Sequence, residues 1–181
     1  MKPGRLLPGL ISVALLAGLG YLWLAPGGLK TSPDITLLTI DGEELPLRQL
    51  RGKPLLVTFW STTCSGCIRE MPHLIELYRE LSPQGLEIVG IAMDHDPPSR
   101  VLAMRKSRHI PYTLALDINA EAARAFGDVR QTPTSFLIDP NGGVVYRRTG
   151  PLNTAALRRD ILALLASPGS GRPAPAGRPA S

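Results

Sequence analysis

The sequence predicts an α/β domain, a central mixed sheet flanked by helices, and three observations carry that expectation. Short β-rich apolar runs alternate with stretches of helical period from about residue 55 to residue 165. A Pro-Asn-Gly-Gly turn at 140–143 joins two late runs as a hairpin. Of the 181 residues, 44% are hydrophobic and 19% charged, which is too apolar for a disordered chain.

Each element follows from its own residues. Leu-Leu-Val-Thr-Phe-Trp at 55–60 follows a Gly-Lys-Pro turn and reads as a buried strand. A helix is expected from about Cys64 to Ser82. Cys67, Met71, Leu74, Tyr78 and Leu81 share one face, and Arg69, His73, Glu76 and Glu80 share the other. Gly85 punctuates it. A second buried strand spans 86–92, a helix 98–108, a strand 112–116 and a short helix about 120–126. The strand at 134–139 turns back through the hairpin into 144–148, and an amphipathic helix at 154–165 closes the domain. Strand–helix alternation implies a mostly parallel sheet, with the hairpin as its antiparallel edge.

The ends have a different character. Residues 6–25, LLPGLISVALLAGLGYLWLA, carry no charge over twenty positions, about 30 Å of helix and enough to cross a bilayer. A cleaved signal peptide is the alternative. The candidate site Trp23-Leu24-Ala25 has a bulky Trp and is followed by Pro26, which favours an uncleaved anchor over residues 1–25. Lys2 and Arg5 precede the run, so the positive-inside rule places the N-terminus in the cytoplasm and the rest outside. Residues 26–34 are expected as a linker and 35–166 as the folded domain. Residues 167–181, with four Pro, three Gly and no large apolar side chain, are expected as a disordered tail.

Charge and cysteine count exclude several functions. The net charge of +5 comes mostly from the ends: without Lys2, Arg5, Arg172 and Arg178, sixteen basic residues face fifteen acidic ones. A nucleic-acid binder needs a basic stripe on its folded part. Two cysteines make neither a disulfide-rich scaffold nor a four-thiolate zinc site. His73, His95 and His109 are scattered. Asp94-His95-Asp96 follows a strand and precedes two prolines, and reads as a polar loop rather than a metal trio.

The chemistry therefore centres on Cys64 and Cys67, three apart at a strand-to-helix junction. The first turn of a helix presents unpaired N–H groups and the positive end of its dipole. Both favour a thiolate at Cys64, below the free value of ~8.5. Cys67 lies one turn deeper on the apolar face, placed to attack a mixed disulfide held on Cys64. A plain structural bridge is the competing reading, but so short a loop removes little unfolded-state entropy. Cys64 is expected as the attacking thiol and Cys67 as the resolving one.

Over residues 32–166 the sequence resembles the thioredoxin superfamily, and within it the membrane-anchored TlpA/ResA-like thiol–disulfide oxidoreductases. The likeness rests on FWSTTCSGCIREMP at 59–72, on TPTSFLID at 132–139 and on the apolar N-terminal run. It implies a thioredoxin-like fold with an extra strand and helix inserted around 110–126. It also implies a cis-Pro133 opposite the dithiol, with Thr132 pairing its backbone to an extended substrate. Pro72 would kink the active-site helix. Glu70 matches a glutamate of the ResA-like proteins and would exchange protons with the dithiol. Thioredoxins carry a buried Asp six residues before the first Cys, whereas this chain has Thr58. Trp60 matches the family's Trp before the active loop, as a substrate-side residue or a packing lid. Peroxidase chemistry is disfavoured, because Ser61 and Val57 hold the positions where a peroxiredoxin has Thr and Pro.

The implied function is electron exchange with protein thiols or disulfides in a periplasm, without cofactor or metal. The resemblance points to reduction of selected substrates such as apocytochrome c. It further implies recharging by a DsbD/CcdA-type membrane donor, and no nucleic-acid partner. The rivals are a DsbA-like oxidase or isomerase, and a Cu(I) metallochaperone using the two thiols with His95 or His109.

Overall fold

In the computed structural model, residues 29–166 are described. The chain forms β1 (Thr36–Thr39), β2 (Glu44–Pro46), β3 (Leu55–Trp60), α1 (Ser65–Leu81), β4 (Glu87–Ala92) and α2 (Pro98–Arg108). It continues through β5 (Thr113–Leu116), α3 (Glu121–Ala125), β6 (Thr134–Ile138), β7 (Val144–Thr149) and α4 (Thr154–Ala166). One seven-stranded sheet has the order β2-β1-β5-β4-β3-β6-β7.

Every element expected from residue 55 onward forms within a residue or two of its expected place. The strand directions differ from expectation. Only β3/β4 and β4/β5 pair in parallel, while β1/β2, β1/β5, β3/β6 and β6/β7 are antiparallel. Two causes combine. β6 returns beside β3 in the opposite sense, and β1–β2, for which no element was expected, extends the other edge. The linker assignment also changes. From Lys30 the backbone is tied to the β6–β7 turn, with Ser32 N–H donating to Gly142 C=O (2.8 Å) and Val144 N–H to Lys30 C=O (2.9 Å). The apolar run at 6–25 and the tail at 167–181 lie outside the described residues. No helix among the described residues is long and apolar enough to cross a membrane.

Strand β3 organises the packing. All six of its residues are buried, because it lies mid-sheet with helices on both sides. Alternation sends Leu56 and Trp60 into one core with Cys67, Met71, Leu74, Leu77 and Leu81 of α1, Val101 of α2 and Leu157 and Ile161 of α4. Leu55, Val57 and Phe59 point into a second core with Ala122, Ala123 and Phe126. There Phe59, Phe126 and Phe136 meet with ring centroids 4.9–6.1 Å apart. Helix α1 runs unbroken through Pro72. It ends in a short 3-10 turn closed by Gly85 at φ +111°, a conformation that favours glycine.

Gly90 of β4 shows how tight the first core is. A Cβ there would lie 2.9 Å from Leu114 Cδ2, 3.2 Å from Trp60 Nε1 and 3.3 Å from Tyr112 Cε2. Gly90→Ala is expected to cost about 1–3 kcal/mol by overpacking, read as a lower urea midpoint at unchanged slope. An unchanged midpoint would mean that this wall of the core yields freely.

Candidate active site

The site is built where β3 ends. Ser61 C=O accepts the Cys64 N–H (3.1 Å), which turns the chain into α1 with Cys64 as its N-cap. Cys64 Sγ accepts the Cys67 N–H at 3.1 Å, so the sulfur occupies the place a Ser or Asp oxygen takes at other helix starts. The Cys64 C=O accepts from Ile68 N–H (3.1 Å) and begins the helical ladder. The two cysteines form a disulfide in this structure, with Cα atoms 5.3 Å apart. Cys64 is half-buried, and Cys67, 5% exposed, belongs to the core. An external reactant can therefore reach the outer sulfur far more readily than the inner one.

Pro133 stands against this turn, after a cis Thr132–Pro133 bond. A Cβ on Gly66 would come within 3.4 Å of Pro133 Cδ and 4.0 Å of Cys64 Sγ. The dithiol turn and the Pro133 loop therefore pack against each other at van der Waals range. The loop is fixed from behind by Thr134 Oγ1–H to Gln131 C=O (2.7 Å) and Gly150 N–H to Pro133 C=O (2.8 Å).

Behind the sulfurs lies a small cavity shared by Thr58, Trp60, Cys67, Glu70, Tyr112 and Pro133. Glu70, 8% exposed, is its only carboxyl, and its Oε1 accepts the Leu152 N–H at 2.6 Å. Burial pushes the Glu70 carboxyl above the ordinary value of 4.5, while the Leu152 bond and then His73 oppose the rise. Burial, and then the nearby Glu70 charge, raise the Tyr112 phenol. Thr58 Oγ is paired with Ser135 Oγ (2.9 Å), a neutral pair that puts no charge behind the dithiol from the sheet. Trp60 is 4% exposed, so it lines the inner wall and is not part of an outer docking face. Its indole N–H has no partner among the described residues.

One feature escaped the sequence reading. Asp96 is buried and turned inward, its carboxylate accepting both the Thr62 N–H and the Thr62 Oγ1–H at 2.6 Å. The adjacent His95 Nε2 lies 3.3 Å from Ser61 Oγ, not on a sulfur. The Asp94-His95-Asp96 segment is a loop, as expected, but one that grips the residues leading into Cys64. Nothing local distinguishes the inward Asp96 from the exposed Asp94. Among the described residues, no cluster of three His, Cys, Asp or Glu could hold a metal ion.

A sheet of this order, with a Cys-x-x-Cys at a helix tip and a cis-proline against it, defines the thioredoxin-fold dithiol proteins. The AhpC/TSA family profile matches residues 29–147. Thiol-disulfide oxidoreductase ResA of Geobacillus thermodenitrificans is 32% identical over 159 residues, covering 83% of this chain and 90% of the relative. ResA of Bacillus cereus is 30% identical, with 83% and 91% covered. The chain belongs to the ResA-like thiol–disulfide oxidoreductases of the thioredoxin superfamily, and it is a protein-disulfide oxidoreductase. Among solved structures, a thioredoxin-family thiol:disulfide interchange protein from Chlorobium tepidum superposes with TM-score 0.69. It is 29% identical, with 78% of this chain and 99% of that one covered. DsbF of MTB gives TM-score 0.67 at 25% identity, with 74% and 96% covered.

The raised Glu70 carboxyl makes stability depend on pH in a defined sense. Folding favours the protonated acid. Its contribution is fully present below the unfolded value of 4.5 and is lost as pH rises through the higher folded value. Glu70→Gln keeps an acceptor for the Leu152 N–H without the charge. The variant is expected to exceed the parent protein in urea midpoint at pH 8 and to converge with it near pH 4. Parallel curves across that range would show that Glu70 does not titrate as argued.

Proposed function

We propose that this chain is a membrane-tethered extracytoplasmic reductant of selected protein disulfides. Cys64 acts as attacking thiolate, Cys67 as resolving thiol and Glu70 as proton acceptor for Cys67. The observation that carries the reading is the order of access at the helix tip: the outer sulfur is reachable and capped by a backbone N–H, and the inner one is buried beside a carboxyl.

In the reducing direction the Cys64 thiolate attacks one sulfur of a substrate disulfide. That S–S bond breaks, a mixed disulfide forms on Cys64, and the departing substrate thiolate takes up a proton. Cys67 then gives its proton to Glu70 and attacks the Cys64 sulfur. The mixed disulfide breaks, the second substrate sulfur leaves as a thiolate that takes up the proton held by Glu70, and Cys64–Cys67 is left oxidised. Two electrons have passed to the substrate. A carboxyl held above its usual range suits this exchange, because its proton affinity is drawn toward that of a thiol.

Substrate binding is assigned to the Thr132–Pro133 loop, with Trp60 supporting it from inside. Among the described residues no backbone hydrogen bond engages Thr132, so its peptide groups are free to pair with an extended segment. The uncharged run at 6–25 behind Lys2 and Arg5 supports a single span with the catalytic domain in a periplasm. Kinship supports apocytochrome c as a substrate and a DsbD/CcdA-type membrane protein as the electron donor.

The roles of the two sulfurs are separable. Cys64→Ser is expected to lower insulin reduction by dithiothreitol to the uncatalysed rate. Cys67→Ser is expected to accumulate mixed disulfides, resolved by non-reducing electrophoresis and identified by mass spectrometry. Equal trapping by Cys64→Ser would reverse the assignment, and insulin reduction surviving that variant would remove the exchange reading altogether.

A further inference from the structure

Asp96 poses a question that hydrogen bonding alone does not answer. It accepts two bonds from Thr62, both at 2.6 Å, one at each carboxylate oxygen. It is 7% exposed, and among the described residues no Lys, Arg or His forms an ion pair with it. A neutral Asn could bond the same N–H and hydroxyl without burying a charge. A buried, unpaired anion is unfavourable unless something depends on it.

What it holds is the turn that leads into the reactive sulfur. Thr62 precedes Cys64 by two residues, so their Cα atoms are separated by at most ~7.6 Å. The same loop holds the intervening turn through His95 and Ser61 (3.3 Å), and Ser61 in turn meets Thr63 (Oγ to Oγ1, 3.0 Å). The geometry points to Asp96 as a positioning residue of the exchange reaction, one that clamps the approach to Cys64 and sets its anion against the Cys64 thiolate.

The consequence has a sign. The helix tip favours the thiolate, and a neighbouring anion disfavours it. The disulfide carries no charge and is indifferent. Asp96 therefore raises the reduced, ionised form relative to the oxidised one and inclines the dithiol to give up electrons. The inference rests on the exchange chemistry proposed for Cys64, and it supplies the reductant direction with a source in the fold.

The test uses the purified full chain without any protein substrate. Two readings are taken: the pH profile of Cys64 alkylation by neutral iodoacetamide, and the equilibrium dithiol + glutathione disulfide ⇌ protein disulfide + 2 glutathione. The other charged or titratable groups on the two elements that meet at the dithiol turn are Asp94 and His95 on the same loop, and Arg69, Glu70 and His73 on the first turns of α1. They are present in every variant and cancel in the comparison. Asp96→Asn is expected to speed alkylation at pH 6 by about threefold or more and to shift the glutathione equilibrium toward the dithiol by a similar factor. Thr62→Val removes a clamp bond but leaves the charge, and it is expected to produce neither change. If Asp96→Asn folds and both readings match the parent protein, or if Thr62→Val reproduces its shifts, the charge has no redox role and the inference falls. If neither Asp96→Asn nor Asp96→Ser folds, judged by circular dichroism, the carboxylate is purely structural and the inference also falls. Failure of insulin reduction or trapping in the parent protein would instead count against the proposed function, since neither reading here involves a substrate.

Discussion

The Cys67 N–H that points at Cys64 Sγ, 3.1 Å away, is the interaction on which the chemistry of this fold depends. A helix start has donors without acceptors. Most helices give them an oxygen, and α1 gives them a sulfur. The arrangement requires Cys64 to be the last non-helical residue and Cys67 to lie one turn inside. That in turn requires β3 to end at Trp60 and the chain to turn within Ser61–Thr63. Burial of β3 on both faces fixes its register, since a slip of one residue would exchange the Leu56–Trp60 side with the Leu55–Phe59 side. Packing in the middle of the sheet thus sets the place of one sulfur atom at its end.

Two carboxyls meet this sulfur pair from different directions. Glu70 lies behind, in the cavity shared with Cys67, where burial favours its protonated form. Asp96 lies on the β4 side, hydrogen-bonded at both oxygens to Thr62 in the turn leading into Cys64. Their hydrogen-bond surroundings differ: a single backbone N–H for Glu70, against an N–H and a hydroxyl for Asp96.

Most of the elements from residue 55 onward were legible because their signals are local. An apolar run closed by turn residues, or a helical period closed by Gly85, needs no partner to be read. The dithiol was legible for the same reason, since Cys-x-x-Cys between a strand and a helix is a pattern within one segment. The elements before residue 55 were not. Thr36-Leu37-Leu38-Thr39 is four residues with only Leu37 and Thr39 buried, and it is a strand because Leu116 and Ala115, far along the chain, supply its partners. Asp96 was missed on similar grounds. Its burial depends on Thr62, thirty-four residues away, and its own neighbours read as solvated loop.

The strand direction that local signals could not supply is also what assembles the site. β6 runs antiparallel to β3, pairing Thr134 with Phe59, so Pro133 arrives at the end of β3 from which Cys64 departs. In a parallel arrangement β6 would begin at the opposite end, about 17 Å away over five residues, and Pro133 could not reach the dithiol turn. β4 needs the other sense. It runs parallel to β3, with Ala92 opposite Trp60, and so delivers the Met93–Asp96 loop to the same end. Two neighbours of opposite polarity thus bring a strand start and a strand end together around one helix tip. A uniformly parallel sheet could supply the thiol pair and the Asp96 loop but not the proline loop, and a uniformly antiparallel one the proline loop but not Asp96. The mixed sheet is therefore a requirement of this site.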